Sequence, residues 1–166
     1  LSGHTQFDRE LLQTMNQTQH HRGPDEDGLL LEPGVGLAHK RLSIIDLSSG
    51  QQPMHSADGG ITVVYNGEIY NFAGLAEELK GLGYEFRTRC DTEVIIYAWQ
   101  EWGEACVNRF RGMFAFAVYD RRRQSLFLAR DRLGIKPLFY AMVGPDTLAF
   151  GSELKVLKAH PGLPRK

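Results

Sequence analysis

Apolar residues in the first hundred positions recur at helical spacing in several places and as strand-like runs in two. Leu11, Leu12 and Met15 share one helix face behind Asp8, whose carboxylate suits an N-cap. That pattern fades at His20-His21, and Gly23-Pro24 stops it. Val35 to His39 reads as a short strand. Ile61 to Tyr65, set between Gly59-Gly60 and Asn66-Gly67, reads as a buried one. Asn71 then caps a helix with Phe72, Leu75, Leu79 and Leu82 on its apolar stripe, closed by Gly83. Another helix starts after Asp91 and carries Val94, Ile95, Ala98 and Trp99 inward, and a short one runs from Glu104 to Phe110.

The second half changes to short apolar strands: Phe114 to Tyr119, Ser125 to Ala129, Leu138 to Met142 and Thr147 to Phe150. The brief turns between them predict an antiparallel meander. Ser152 can cap a last helix through Leu157, and Pro161, Gly162 and Pro164 read as the start of a linker. The expected division is therefore a domain over 1–158 and a linker over 159–166. Six strands and five helices, with several strands apolar on both alternations, need cover on both sheet faces. The fold class this predicts is α+β, in layers.

Composition narrows the function. The 166 residues suffice for one domain that buries roughly 70% of its unfolded surface without a staple. A net charge of −1 argues against general affinity for nucleic acid or for an anionic membrane. Cys90 and Cys106 form neither a disulfide framework nor a metal cluster and fit a reducing, cytoplasmic setting. No apolar run approaches the ~20 residues of a membrane span. The P-loop, H-E-x-x-H, C-x-x-C and G-x-S-x-G patterns are absent, and Gly34-Val35-Gly36 lacks the third glycine of a dinucleotide fingerprint.

Polar clusters at element ends remain, where functional residues usually sit. They are His21-Arg22-Gly23-Pro24-Asp25, Arg41 to Asp46, Gln52-Pro53-Met54, Tyr65 to Asn71, Asp91-Thr92-Glu93 and Arg130 to Leu138. Taken alone, Asn66-Gly67 is a strong hairpin signal, Arg41 a solvated strand end and Asp91 an N-cap. Asp25-Glu26-Asp27 reads as an acidic solvated loop, and Arg121-Arg122-Arg123 as an exposed turn. In this order, the six clusters closely resemble the N-terminal glutaminase domain of glutamine-hydrolysing asparagine synthetases, a class II glutamine amidotransferase domain with the N-terminal-nucleophile fold. The resemblance covers nearly the whole chain. It implies a four-layer αββα sandwich, in which two mainly antiparallel sheets are covered by helices.

The resemblance also assigns roles. The Asn66 side chain and the Gly67 N–H would form the oxyanion hole; an amide and a backbone donor can both face a developing alkoxide without a competing charge. Arg41 would bind the α-carboxylate of glutamine through its planar fork, with Ile44 and Ile45 as pocket wall. Glu68 and Asp91 would hold the α-ammonium, and Arg22 and Asp25 would support the glutamine loop. A sharp turn exposing the Gly67 N–H would let hairpin and oxyanion hole coexist.

The family's nucleophile is the cysteine that begins the mature chain, with its own α-amino group as base. This sequence begins Leu1-Ser2-Gly3, and its first cysteine is Cys90. The expectation is that a first strand carrying the nucleophile precedes Leu1, that the chain alone is inactive, and that Cys90 and Cys106 are structural. No cofactor is implied for this domain. ATP and Mg are implied for a C-terminal synthetase domain of the same polypeptide, which would receive the ammonia, and the resemblance is compatible with a homodimer. Two rivals stand beside this reading. One is a non-catalytic domain of the β-lactam synthetase kind that has lost the cysteine; the other is a free-standing glutaminase.

Overall fold

The computed structural model describes residues 5–24, 26–41 and 50–163. The chain divides into two compact units, one built from Leu1–Ile45 and Pro137–Lys166, the other from Asp46–Lys136.

In the first unit, helix α1 (Arg9–Gln17) starts where expected, with the Asp8 side chain accepting from Glu10 N–H at 2.8 Å. The segment taken from sequence as an acidic loop is instead a strand: Glu26 and Asp27 open β1 (Glu26–Glu32). It pairs with β2 (Val35–Arg41) in an antiparallel hairpin running from Glu26↔Arg41 to Glu32↔Val35. Charge pairing accounts for the difference, because the acidic residues lie opposite Lys40 and Arg41 and need no solvated loop. Strands β7 (Phe139–Val143) and β8 (Thr147–Gly151) form a second two-stranded sheet, followed by α4 (Leu154–Lys158). Met15, Ala149, Val156 and Leu157 make the core between α1, α4 and this sheet. The helix cap expected at Ser152 falls one residue later, at Glu153, and has no side-chain cap bond.

The second unit holds an antiparallel sheet in the order β3-β4-β5-β6, built from Met54–His55, Ile61–Ile69, Gly112–Asp120 and Ser125–Arg130. Helices α2 (Phe72–Gly81) and α3 (Asp91–Trp102) supply the core against it. Ile69, Leu79, Ile95 and Phe110 are fully buried there. Burial of a side chain of this size contributes about 1.5–3 kcal/mol. Leu82, expected on the buried stripe of α2, is instead exposed, because it follows the helix end. The Glu104–Phe110 helix is a 3₁₀ segment over Gly103–Asn108. The expected four-strand meander is cut in two: β5 and β6 belong to this sheet, β7 and β8 to the other.

A carboxylate makes that cut. Asp131 follows β6 and is buried, yet its two oxygens accept from Phe114 N–H (3.2 Å), Leu133 N–H (3.2 Å), Ile135 N–H (2.9 Å) and Lys136 N–H (2.9 Å). Burial alone would raise its carboxyl; the four backbone donors outweigh that and hold it below the ordinary carboxylate range. The Arg130–Leu138 cluster is thus wound around one anion, which turns the chain out of the sheet.

Candidate active site

The site residues predicted in the second unit gather on one edge of β4. The hairpin suggested by Asn66-Gly67 is not formed; β4 runs straight through it, pairing Asn66 with Ala115 and Gly67 with Phe114. Glycine is required here for close approach. Gly67 sits at φ +151°, and a Cβ on it would lie 2.1 Å from the Met113 carbonyl oxygen and 2.6 Å from Phe114 Cα. A reciprocal contact brings Gly112 against the Glu68 carbonyl, where a Cβ would lie at 2.0 Å.

Backbone alternation then decides where the Gly67 N–H points. Tyr70 donates across to Arg111 O at 2.7 Å, so even-numbered residues turn toward β5 and odd-numbered ones away from it. Phe114, opposite Gly67, spends both backbone groups on its other side: it donates to the Asp131 carboxylate, and its carbonyl accepts Asp131 N–H at 2.7 Å. On the outer edge, Tyr65 N–H donates to Gln52 Oε1 at 2.5 Å and Ile69 N–H to Asp91 Oδ2 at 2.9 Å. The Gly67 N–H lies between these two occupied donors. β3 pairs only with Thr62 and Val63, and so stops short of it.

Asp91 is not the helix cap its position suggested. Cys90 takes that place without a side-chain bond, and Asp91 is the first helical residue, with Oδ2 accepting from Ile69 N–H and from the Tyr65 hydroxyl. Burial first, then the negative charge of Asp91, push the Tyr65 hydroxyl far above its ordinary pKa, so it acts as a neutral donor. Glu68 is exposed and shares the β4 face of Asn66, opposite Tyr65 and Ile69, and its charge is felt at Tyr65 together with that of Asp91. The strand thus carries Asp91 on its outer edge and Asn66 and Glu68 together on one face.

In the first unit, Arg41 ends β2 and meets Glu26 at 3.4 Å across the hairpin. Arg22 lies in the 3₁₀ segment His20–Arg22, with Nε 3.1 Å from Glu153, which also meets His21 at 3.0 Å and Lys155 at 2.9 Å. His21 is thus in hydrogen-bond contact with Glu153. Gly23 presses on the β2 backbone, since a Cβ there would sit 2.5 Å from Arg41 N. Asp25, Ile44 and Ile45 lie outside the described residues.

The glutamine amidotransferase domain model matches residues 1–166. The chain belongs to the glutamine amidotransferase family. It is 43% identical over 171 residues to asparagine synthetase [glutamine-hydrolyzing] 3 of Bacillus subtilis, a match spanning 98% of this chain and 28% of that protein. A probable asparagine synthetase [glutamine-hydrolyzing] of Schizosaccharomyces pombe is 43% identical over 149 residues, 89% of this chain and 26% of that one. The chain thus spans about a quarter of the length of these relatives. Among solved structures, glutamine phosphoribosylpyrophosphate amidotransferase from B. subtilis superposes with TM-score 0.63 at 22% identity, over 78% of this chain and 30% of that one. The amidotransferase fold, α+β with antiparallel sheets and packed helices, is shared with it.

Several residues that shape this amidotransferase edge were given no role from sequence. Gln52 and Tyr65 stood in recognised clusters but carried no assignment. Glu93, fully buried, accepts Arg87 N–H (2.9 Å), Thr88 N–H (2.7 Å) and the Thr88 hydroxyl (2.6 Å), and so folds the approach to α3 and Asp91. With its proton given to Glu93, the Thr88 hydroxyl accepts from the Cys90 thiol at 3.0 Å. Cys106 is buried in the core, and burial pushes its thiol up to about 12. Among the described residues, no His, Cys, Asp and Glu cluster fits a metal ion, and no helix is long and apolar enough to cross a membrane.

Proposed function

We propose that this domain hydrolyses the side-chain amide of glutamine to glutamate and ammonia, and that the ammonia serves an ATP-dependent synthetase domain of asparagine synthetase type in the same polypeptide. The observation that carries the reading is the Gly67 N–H on the open edge of β4, next in sequence to Asn66 and between two capped donors. A thiolate attacks the amide carbon and the carbonyl oxygen becomes an alkoxide, which the Gly67 N–H and the Asn66 amide stabilise. The carbon–nitrogen bond breaks, ammonia leaves with the proton passed to it, and water cleaves the thioester to glutamate.

Glu68 and Asp91 hold the α-ammonium of the substrate, and Arg41 its α-carboxylate. The resemblance implies supporting roles for Arg22, Asp25, Ile44 and Ile45. Neither cysteine of these 166 residues suits the attack, because Cys106 is sealed in the core and the Cys90 thiol is engaged with Thr88. The thiolate comes from elsewhere in the polypeptide.

Adduct mapping on the complete polypeptide with a glutamine-like affinity label tests this. One adduct, on a cysteine outside these residues and blocked by excess glutamine, is expected. A glutamine-blocked adduct on Cys90, or no glutamine-blocked adduct at all, would remove the glutaminase reading.

A further inference from the structure

Gln52 has no role in the reading above, yet it is the side chain that ends the β3–β4 ladder. The register Met54↔Val63 would, if continued, bring Pro53 opposite Val64 and residue 52 opposite Tyr65. Pro53 has no N–H to extend the pairing. The Gln52 side chain, half-buried, takes Tyr65 N–H on Oε1 at 2.5 Å. The ladder is thereby closed by a side chain two residues before Gly67. A paired strand that continued would place its own backbone over the Gly67 N–H and occupy it.

The other flank is closed in the same manner, by Asp91 on Ile69 N–H. Tyr65 links the two closures, since its N–H goes to Gln52 and its hydroxyl to Asp91. A side-chain acceptor satisfies the edge donor without bringing a neighbouring strand, which is what an open N–H between two occupied ones requires.

We infer that Gln52 is a positioning residue for the oxyanion hole: by capping Tyr65 N–H it fixes the β4 edge and keeps the Gly67 N–H open toward the substrate. This rests on the reading of Asn66 and Gly67 given above. Gln52 touches neither substrate nor reacting atoms in this role, so its loss acts on the transition state and leaves ground-state binding of glutamine alone.

The test compares Gln52→Met, Gln52→Asn and Asn66→Ala in the complete enzyme, reading kcat and KM for glutamine. Binding of an aldehyde analogue, which forms a tetrahedral adduct with the thiolate, is read alongside. Gln52→Met should lower kcat about tenfold with KM within about twofold, as expected for partial misplacement of one oxyanion donor. Gln52→Asn, which withdraws the acceptor by one methylene but keeps the amide, should fall in between. The aldehyde analogue should weaken in step with kcat, while the affinity for glutamate stays unchanged. If Asn66→Ala is impaired but both Gln52 variants keep kcat and analogue affinity, the inference is overturned. A rise in KM at unchanged kcat also overturns it, by making Gln52 a binding residue. If Asn66→Ala is unimpaired, the oxyanion reading itself has failed.

Discussion

The Tyr65 hydroxyl donates to Asp91 Oδ2 over 2.5 Å, tying the middle of strand β4 to the first residue of helix α3. The same oxygen holds Ile69 N–H, so one carboxylate fixes both the strand edge and the direction in which the helix leaves it. A residue proposed to bind the substrate's ammonium is thus also part of the frame.

Tyr65→Phe removes the donor and keeps the ring in its buried place. The loss of a bond to a carboxylate should cost about 1.5–3 kcal/mol of stability, read by urea denaturation. It should also raise KM for glutamine more than it lowers kcat, because Asp91 loses a restraint. An unchanged KM would separate the Tyr65–Asp91 contact from substrate binding.

Gly67→Ala and Gly59→Ala form a matched pair. Both glycines have positive φ, but a Cβ at Gly59 meets nothing within 4 Å, whereas at Gly67 it meets backbone at 2.1 Å. Gly59→Ala should cost only the conformational strain, about 1–2 kcal/mol. Gly67→Ala must also part β4 from β5, and should destabilise by at least a further ~1–3 kcal/mol as an overpacked site. Equal losses in denaturant midpoints would mean that the close approach of the two strands is wrong.

Asp131 ties stability to acid. Its carboxyl is held below the ordinary range in the folded chain, so the unfolded chain binds its proton first as pH falls. The stabilisation is complete above the unfolded carboxyl value of about 4 and is lost as pH drops through the lower, folded one. Asp131→Asn should cost about 1.5–3 kcal/mol at neutral pH and flatten the stability–pH curve below about pH 4. The measurement is urea midpoints from pH 2.5 to 7; an equally steep acid limb in the variant would contradict the assignment.

Cys106, with its thiol raised to about 12 and no exposed surface, should resist iodoacetamide at pH 8 until the protein is unfolded. Cys90, partly exposed, should be the one that labels in the native state. Peptide mapping before and after denaturation checks this. Native labelling at Cys106 would show an opening of the core between α3 and β5.

Much of this was legible in the chain because local signals agreed. Asp8 capped its helix, the α3 residues were buried as their spacing implied, and the clusters marked their family. The misreadings share a physical cause. Asn66-Gly67 is turn chemistry locally, but β5 runs beside it with Phe114 opposite Gly67 and Gly112 opposite Ile69, and the two glycines let the strands close to a distance at which a straight ladder wins. Asp91 reads as a cap, and Glu93 and Asp131 carry no reading of their own, yet each carboxyl group collects donors that spacing along the chain does not reveal. Asp91 takes donors from another strand, Glu93 the approach to α3, and Asp131 the turn it closes and Phe114. Glu26 and Asp27 looked solvated because their partners, Arg41 and Lys40, are brought opposite only by the hairpin. Periodicity carries no information about partners of that kind.

The most direct test is glutamine hydrolysis by the complete polypeptide carrying Asn66→Ala. Loss of one oxyanion donor predicts kcat lower by about 10²–10³-fold, with KM close to that of the unsubstituted enzyme and an unchanged fold by circular dichroism. Undiminished kcat in the folded variant would contradict the account, and would take the site away from the β4 edge.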